Sequence, residues 1–360
     1  MSDFSATALA LKAAYPTNEC EIDDRGIPSF YVRMASKTLK ELLNTTNDTV
    51  HPAFMISNDQ KPSLLFGKFQ GKVRNSRVYS LPGEDPTASI NLDTYIQYCR
   101  NKGPGHHCIT ASEWAFLALW CKKNGTQPYG NNNYGKDSRE TAYLAIPSMA
   151  RDSSGRIQRV ATGTGPMTWS HNKQMDGIWD LNGNIWERIA DIRLVYGELQ
   201  VIPFNNAADP ETPLGAASTA WRAINAAATS YADLYIEPNG SGTTSGSVKL
   251  DYVSNHWAWV TTITSQSDSS RNAAFSATTI GTGISEFAAL YLRAMALAPE
   301  SGDTDYEGDV FYGNNGAAER SASRGGDWSY GAAYGVFALS FSYDRGSVHT
   351  AFGGRPAFYE

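Results

Sequence analysis

The final stretch of the chain, residues 324–358, alternates between two kinds of residue. Large apolar residues and glycines, among them Trp328, Phe337 and Leu339, separate positions that hold almost only Ser, Tyr, Ala, Asp, Gly and His. This alternation is typical of short strands and loops whose apolar residues are buried while the other side chains face outward. Tyrosine gives a large contact area at a low entropic cost, and serine and glycine adapt to a partner, so the outward set predicts a binding surface.

Length and composition place the chain among ordinary globular proteins. A chain of 360 residues with 41% hydrophobic content can bury a large core in one or two domains. Its 30 basic and 36 acidic residues give a formal charge of -6, which argues against nucleic acid as a partner. Plentiful aromatic residues (19 Tyr, 14 Phe and 9 Trp) and a charged fraction of only 18% favour a β-rich structure with few long helices.

The sequence predicts neither a membrane-inserted segment nor a signal peptide. No apolar stretch approaches the roughly 18 residues that a spanning helix needs. The apolar run at residues 6–14 is interrupted by Lys12, and no small-residue cleavage site follows it.

Apolar spacing predicts one helix over residues 36–44 and another over residues 111–122. Thr110 or Ser112 can cap the second helix. One face of that helix is predicted to carry Trp114, Leu117, Ala118 and Cys121.

Short apolar runs at residues 53–56 and 64–69 predict strands. The pair Asn182-Gly183 is a strong turn signal. Together with its flanking residues, which include Trp179 and Trp186, it predicts a tight hairpin with both tryptophans in the core.

The four cysteines are predicted to be reduced and mostly buried. They lack the paired spacing of a zinc site and the density of a secreted disulfide scaffold. They are Cys20, Cys99, Cys108 and Cys121. We predict no metal site and no cofactor.

Changes in composition along the chain indicate its organisation. An N-terminal segment up to about residue 50, serving for attachment or as a packing extension, precedes one domain over residues 51–360. A stretch at about residues 207–323 is dominated by Ala, Ser, Thr and Gly, and it contains a flexible tract at residues 239–247, which indicates an insertion. Two helix-like pieces indicate that this insertion is folded: residues 216–228 and 285–297.

Five segments in chain order resemble the signature segments of the formylglycine-generating-enzyme-like (sulfatase-modifying factor) group of C-type lectin folds. They are CITASEWAFLALW (108–120), PYGNNNYG (128–135), GIWDLNGNIWER (177–188), RGGDW (324–328) and GGRPAF (353–358). The resemblance runs from about residue 50 onward with the insertion excluded. It implies an α+β, C-type lectin-like fold with short twisted antiparallel sheets, two or more helices and a large insertion.

Within that group, residues 324–358 are most similar to the variable proteins of diversity-generating retroelements of the phage and prophage type. In that subfamily, asparagine positions of a template are rewritten by adenine-directed mutagenic reverse transcription. The resemblance implies variable, ligand-binding positions at Asp327, Ser329, Tyr330, Ala333, Tyr334, Ser340, Ser342, Tyr343, Asp344, Gly346, Ser347, His349, Ala351 and Phe352. It implies a scaffold of Trp328, Gly335, Phe337, Leu339, Arg345 and Arg355.

The chain departs from the subfamily pattern near its end. The family often has Gly-Phe-Arg where this chain has Phe352-Gly353-Gly354-Arg355. A displaced core ring would explain the change, and Phe352 is then open to either assignment, variable or scaffold.

The genetic code supplies an independent check. Alteration of AAC codons at their adenines cannot produce Lys, Glu, Gln, Met or Trp. All the variable positions named above obey this exclusion, and residues 327–359 contain no Lys, Glu, Gln or Met. An ordinary exposed surface would usually carry some Lys or Glu, so their absence favours diversification.

The resemblance implies a ligand-binding display protein that recognises a variable protein or glycan ligand on a cell surface, as in phage or prophage receptor recognition. The N-terminal segment would attach it to a phage tail or mediate self-association. The expected location is the virion, or the host cytoplasm before assembly.

Three other functions are alternatives to a display protein. A formylglycine-generating-type oxidase needs a reactive cysteine pair near its C-terminal part, but no cysteine follows Cys121, so no catalytic residues are predicted. The tripeptide Glu237-Pro238-Asn239 matches one used by calcium-dependent sugar lectins, yet no Trp-Asn-Asp segment follows it. A structural virion or tail protein without variation stays open.

Overall fold

The computed structural model describes residues 4–360 and has an α+β fold, as predicted. No helix within these residues is long and apolar enough to span a membrane. The helices are short, and the longest has 13 residues. They are α1 (Ser5–Ala14), α2 (Leu39–Leu42), α3 (Leu92–Arg100), α4 (Ala111–Lys123), α5 (Tyr231–Leu234) and α6 (Glu286–Ala294).

The strands are also short. Those of the first third are β1 (Asn18–Ile22), β2 (Pro28–Ala35), β3 (Met55–Ile56), β4 (Asp59–Gln60), β5 (Ser63–Gly67), β6 (Gly71–Arg74), β7 (Arg77–Ser80) and β8 (His106–Cys108). The middle of the chain adds β9 (Trp186–Val195), β10 (Glu198–Val201), β11 (Arg222–Ile224), β12 (Tyr235–Ile236), β13 (Lys249–Val253), β14 (His256–Val260), β15 (Arg271–Ala274) and β16 (Thr279–Ile280). The last are β17 (Val310–Gly313), β18 (Arg320–Arg324), β19 (Leu339–Tyr343), β20 (Phe352–Gly353) and β21 (Pro356–Phe358).

A five-stranded sheet in the order β1-β2-β5-β21-β8 joins the beginning and the end of the chain. Strand β21 lies inside this sheet, where Ala357 pairs with Phe66 of β5 on one side and with His107 of β8 on the other. The final strand is therefore a central element of the core. Strands β1 and β2 tie the N-terminal segment to the same sheet, and the boundary near residue 50 stays a prediction.

A second, larger sheet carries the residues that precede β21. Its main path runs β15-β17-β19-β18-β9-β10-β13-β14-β16, and the two-residue strand β20 pairs with β9. Strand β9 is buried along nearly its whole length, so both of its faces are covered. Strands β15 and β17, from the stretch predicted to be an insertion, pair side by side with β19. The limits of that insertion stay a prediction.

Helix α4 confirms the helix predicted over residues 111–122. Thr110, rather than Ser112, caps it: its Oγ1 accepts the Glu113 N–H at 3.2 Å, and Glu113 Oε2 accepts the Thr110 N–H at 3.1 Å. All of residues 111–119 are buried, so the helix is enclosed on every side. The indole Nε1–H of Trp114 donates to Val336 O at 2.8 Å and links the helix to the C-terminal region.

The helix predicted over residues 36–44 is only one turn long, α2. The N–H groups of Leu39 and Lys40 donate to Thr49 O and Asn47 O, both at 2.9 Å, so the polar segment that follows folds back over the helix start. This tertiary pairing overrides the helical apolar spacing.

The predicted strand at residues 53–56 shrinks to β3, because residues 52–54 form a 3-10 turn that begins with Pro52. The strand predicted at residues 64–69 is β5.

The predicted hairpin at Asn182-Gly183 is wrong. Strand β9 begins at Trp186, and no strand precedes the turn closely enough to pair with it. The turn instead packs on distant loops: Asn182 Nδ2 donates to Pro128 O at 3.0 Å and Asn184 Nδ2 donates to Gln70 Oε1 at 2.9 Å. Both tryptophans that flank the turn are buried, as predicted.

Of the two helix-like pieces in the predicted insertion, one is a helix. Residues 285–297 contain α6, capped by Ser285, whose Oγ accepts the Ala288 N–H at 3.1 Å. Residues 216–228 contain β11 instead, because Ala223 and Ile224 are buried as strand partners of β10 and β12. The tract predicted to be flexible, residues 239–247, is held by hydrogen bonds, such as the Thr244 N–H donating to Glu198 Oε2 at 2.9 Å.

The four cysteines are free thiols, as predicted. Cys99, Cys108 and Cys121 are buried, and Cys20 is half-buried.

A buried ion pair between Arg355 and Glu187 fastens the two sheets together. Arg355 Nε and one terminal nitrogen donate to the two carboxylate oxygens of Glu187 at 2.9 and 2.7 Å. The same guanidinium donates to Gly67 O and Trp179 O, both at 2.8 Å. Burial raises the pKa of Glu187, and Arg355 offsets part of that effect.

Replacement of Arg355 by Gln should lower the free energy of unfolding by about 3–5 kcal/mol, because it leaves the Glu187 carboxylate buried without its cation. The measurement is urea-induced unfolding of both proteins at pH 7. Arg74→Gln is the matched control, because Arg74 also pairs with a glutamate, Glu84, but is exposed to solvent; its loss should cost about 1 kcal/mol or less. Equal effects of the two changes would contradict the central role of Arg355.

Candidate binding surface

The predicted variable positions lie on two loops at the two ends of strand β19, on β19 itself and at the start of β20. Loop A, residues 325–338, connects β18 to β19 and contains a 3-10 turn at Gly331–Ala333. Loop B, residues 344–351, connects β19 to β20. Both loops therefore start and end on strands of the large sheet.

Loop A leaves β18 through two glycines in the left-handed region, Gly325 (φ +85°) and Gly326 (φ +81°). A side chain on Gly326 would overlap the ring of Tyr334. The glycines of the RGGDW segment are thus required by the backbone conformation and by the close approach of a ring.

Fixed residues hold the main chain of loop A. The five hydrogen bonds use only main-chain atoms of the loop, so they do not depend on which side chains the loop carries. They run from Tyr134 N to Trp328 O (2.7 Å), Gly331 N to Asn132 O (2.8 Å), Asn132 Nδ2 to Tyr334 O (3.2 Å), Trp114 Nε1 to Val336 O (2.8 Å) and Phe337 N to Asp309 Oδ2 (2.7 Å).

Arg188 of strand β9 holds the main chain of loop B. Its guanidinium donates to Asp344 O at 2.7 Å and to Ser347 O at 3.2 Å, and it also donates to Ser321 Oγ at 2.7 Å. Burial lowers the pKa of Arg188 to about 10, so the group is still a cation at neutral pH.

Other fixed residues complete the support of loop B, again through carbonyl groups. The contacts run from Leu92 N to Arg345 O (3.0 Å), Ser89 N to His349 O (3.0 Å), Arg159 to Thr350 O (2.9 Å) and Trp186 N to Ala351 O (2.8 Å). The conformation of both loops is therefore specified largely by what surrounds them.

Nine of the fourteen predicted variable positions have side chains or, for glycine, a backbone that reaches solvent. The exposed ones are Tyr330, Tyr343, Asp344, Gly346 and His349. The half-buried ones are Ser329, Ala333, Ser342 and Ser347.

The expectation that all fourteen positions face outward is wrong for the other five. They are Asp327, Tyr334, Ser340, Ala351 and Phe352, all buried. Their burial follows from their places: each lies beside the main-chain contacts that fix a loop or within strand β19 or β20. The alternation of small polar and apolar residues in the sequence does not reveal these contacts.

Asp327 illustrates the buried set. Its Oδ1 accepts the N–H of Ser329 at 2.9 Å and the hydroxyl of Ser329 at 2.6 Å. Burial raises the pKa of Asp327, and the hydrogen bonds from Ser329 act in the opposite direction. This carboxyl group shapes the start of loop A and is not available as a simple exposed charge.

Five rings, which we call the aromatic row, run beneath and along the two loops: Tyr330, Tyr334, Trp186, Phe352 and Tyr343. The ring centroids of Tyr330 and Tyr334 are 5.2 Å apart, those of Tyr334 and Trp186 are 4.9 Å apart, and those of Phe352 and Tyr343 are 4.9 Å apart. Trp186 and Phe352 are paired residues of β9 and β20. The two exposed tyrosines therefore rest on three buried rings.

All six predicted scaffold residues are buried: Trp328, Gly335, Phe337, Leu339, Arg345 and Arg355. Gly335 approaches the carboxylate of Asp309, which a side chain at this position would meet at less than contact distance. Arg345 Nε donates to Asp93 Oδ1 at 2.9 Å, and a terminal nitrogen donates to Leu214 O at 2.7 Å. Loop B is thus anchored from within as well as from β9.

The departure near the chain end has a structural explanation. Tyr95 of helix α3 packs against Gly354, where an added Cβ would lie 2.7 Å from Tyr95 Cε1. The Tyr95 ring therefore fills the space beside Gly354, where a side chain would overlap it. Phe352 is buried at 3% exposure, so its position is that of a scaffold residue.

Sequence reasoning missed several residues of this surface. Arg188 and Arg159 hold the loop B main chain, and Val348, within loop B, is 56% exposed. The one available signal was the charged pair Glu187-Arg188 within the apolar run of β9, because charges in a buried strand usually have specific partners. No sequence signal indicated Arg159 or Val348.

Comparison with known proteins gives similarity at the level of solved structures. No protein-family model matches the chain, and no curated protein matches it. The chain is similar to Treponema denticola variable protein 1, with 11% identity, a TM-score of 0.33 and coverage of 96% of this chain and 100% of that chain. It is also similar to the Major Tropism Determinant P3c variant, with 8% identity, a TM-score of 0.32 and coverage of 95% and 72%.

Two tyrosines four positions apart test the division between exposed and buried positions. Tyr330→Ala should change the free energy of unfolding by about 0.5 kcal/mol or less, because Tyr330 is 63% exposed. Tyr334→Ala should lower it by about 3 kcal/mol, because it removes a buried ring that contacts Trp186. Urea unfolding measures both, and equal losses would show that Tyr330 also belongs to the core.

Proposed function

We propose that this protein is a ligand-binding display protein whose C-terminal surface is diversified by mutagenic retrohoming and recognises a receptor on a cell surface. One observation carries the proposal. Residues outside the candidate variable stretch hydrogen-bond to the main chain of loops A and B, while nine of the fourteen candidate variable positions reach solvent. A surface of this kind accepts new side chains without a new backbone.

The physical basis is the difference between main-chain and side-chain contacts. Arg188 contacts the carbonyl groups of Asp344 and Ser347, which every amino acid provides. Exchange of the side chains at these positions leaves both hydrogen bonds in place. Such exposed substitutions typically change stability by about 0.5 kcal/mol or less, so recognition can vary while the fold is retained.

The present surface favours a partly apolar ligand, a protein or a glycan. Tyr330 and Tyr343 offer large rings, 63% and 47% exposed, among small residues such as Ser329 and Ser347. Tyrosines of this kind supply contact area at a low entropic cost, and the serines supply adaptable hydrogen bonds.

The N-terminal segment is our candidate for attachment to a phage tail or for self-association. Helix α1 has no buried residue, and its Leu9 is 70% exposed. The helix contacts the rest of the chain through β1 and the Lys12–Glu19 ion pair, and a partner that covers its exposed face would stabilise it further. The corresponding location is the virion, or the host cytoplasm before assembly.

The gene neighbourhood tests the diversification mechanism. We expect a near-copy of the codons for residues 327–352 close to the gene, differing only at adenines, beside a gene for a reverse transcriptase. Sequencing of the flanking DNA checks this. Identical codons for these residues in the genes of closely related strains, with no such copy, would instead favour a structural virion protein without variation.

A display library tests the binding function directly. We would randomise Ser329, Tyr330, Ser342, Tyr343 and Ser347 with NNC codons in the full chain displayed on filamentous phage, and select on hen egg-white lysozyme. Most members should remain resistant to protease, and the selection should yield binders. In a selected binder that retains both tyrosines, the double change Tyr330→Ala and Tyr343→Ala should abolish binding with little change in melting temperature.

The matched control randomises five buried positions with the same codons: Tyr334, Phe337, Leu339, Ala351 and Phe352. Few members of that library should resist protease, because buried substitutions commonly cost about 2–5 kcal/mol each. Equal folding of the two libraries would contradict the proposal, and so would the absence of binders both to lysozyme and to a glycan probe, amylose beads.

A further inference from the structure

Two strands of the predicted insertion, β15 and β17, continue the sheet beside β19, which carries three of the predicted variable positions. Strand β17 pairs with β19 in parallel, with Tyr312 opposite Ser340, and β15 pairs with β17 in antiparallel fashion, with Asn272 opposite Tyr312. Residues opposite one another in paired strands project from the same face of a sheet. Asn272, Tyr312 and Ser340 therefore form one line across the sheet.

The opposite face of these strands belongs to the core. Phe311 and Phe341, the neighbours of Tyr312 and Ser340 along their strands, are buried, and their ring centroids are 6.1 Å apart. Successive side chains in a strand alternate between faces. The line through Asn272 thus lies on the face turned away from this part of the core.

Exposure along the line increases away from β19. Ser340 is buried, Tyr312 is half-buried and Asn272 is exposed. Within residues 4–360, the side-chain amide of Asn272 makes no hydrogen bond, although its main-chain oxygen accepts one from Tyr252. Its donors and acceptor are therefore available to a partner.

Tyr312 connects the line to the aromatic row. Its ring centroid lies 6.2 Å from that of Trp186 and 6.1 Å from that of Tyr334. Burial raises the pKa of Tyr312 to about 12, and a side-chain hydrogen bond with Tyr334 acts in the opposite direction. A second contact joins β19 to the residue that precedes β15, since the hydroxyl groups of Ser342 and Ser270 are 2.5 Å apart.

We infer that Asn272 and Tyr312 are fixed contact residues for the ligand of the variable surface, and that this ligand is a folded protein. The inference rests on the proposed function, because it extends the same surface onto β17 and β15. Neither residue lies within residues 327–352, so rewriting of that stretch leaves both unchanged. They would contribute a constant part of the contact, while loops A and B contribute the part that varies.

The breadth of the extended surface favours a protein over a small glycan. Neighbouring strands lie about 4.8 Å apart, so Asn272 is about 10 Å from Ser340, and both loops lie beyond the ends of β19. A standard protein interface covers about 800 Å² on each partner, which needs this kind of width. Tyrosine, asparagine and serine are also the residues that antibody surfaces use against proteins.

The test uses ten independent lysozyme binders from the display library described above, each expressed as the full chain. Asn272→Arg, which places a bulky cation on the exposed line, should weaken the Kd for lysozyme by about tenfold or more in most binders. Biolayer interferometry measures the Kd. Ala232→Arg, at an exposed position of helix α5, is the matched control and should change the Kd by less than about twofold.

Two further variants separate contact from folding. Asn272→Ala should leave the melting temperature unchanged, because no side-chain hydrogen bond is lost, and should weaken binding about threefold or more. Tyr312→Phe keeps the ring on Trp186 and removes the hydroxyl together with its hydrogen bond to Tyr334, so its melting temperature is measured beside its Kd.

The outcomes distinguish the inference from the proposed function. Binders whose Kd is unaffected by Asn272→Arg would overturn the inference and leave the proposed function in place. A parallel selection that yields binders to amylose beads but none to lysozyme would overturn the assignment of a protein ligand. Failure to obtain any binder on either probe would overturn the proposed function and the inference with it.

Discussion

The buried guanidinium of Arg355 is the interaction on which the arrangement of this protein depends. It neutralises Glu187 at the start of β9 and donates to main-chain carbonyls at Gly67 and Trp179, so one side chain fixes the relative positions of both sheets. The next residue of β9, Arg188, then reaches loop B from the other side of the strand. Two consecutive charged residues thus have different roles: Glu187 pairs with Arg355 in the core, and Arg188 holds the main chain of loop B.

Loops A and B are held through their carbonyl groups, so the conformation of the surface does not depend on the side chains that it presents. A loop held by its own side chains loses its shape when those side chains change. Loops A and B are held by Asn132, Arg159 and Arg188, which lie outside the candidate variable stretch. The five buried candidate positions, in contrast, contribute to the packing beneath the loops, and we expect far fewer residue types to be tolerated there.

Sequence reasoning identified the elements whose signals are local. Helix α4 has a capping box and a long apolar run, and α6 has a serine cap, so both are visible without tertiary information. The predicted helix at residues 36–44 and the predicted hairpin at Asn182-Gly183 were wrong, because hydrogen bonds outside each local pattern, to Thr49 in the following segment and to the distant Pro128, decide those conformations. An apolar period cannot represent a hydrogen bond to a residue fifty positions away.

The same limit applied to the candidate site. The alternation in residues 324–358 predicts a binding surface, where nine of the fourteen candidate positions reach solvent and all six scaffold residues are buried. It could not separate Tyr330 from Tyr334, which have the same side chain but opposite exposure, because that difference arises from Trp186 and Gly326. Nor could it reveal that β15 and β17 lie beside β19, since strand order is set by pairing across the sheet.

Because β21 lies inside the five-stranded sheet, that sheet can be completed only after the end of the chain has been synthesised. Residues 356–358 are synthesised after both loops, yet they fill the gap between β5 and β8. A chain that terminates or shifts reading frame within residues 327–352 lacks this strand and Arg355, so the gap stays open and the sheet remains incomplete. Such a chain would fail to complete the sheet whatever side chains loops A and B carry, so display of either loop depends on the strand that is made last.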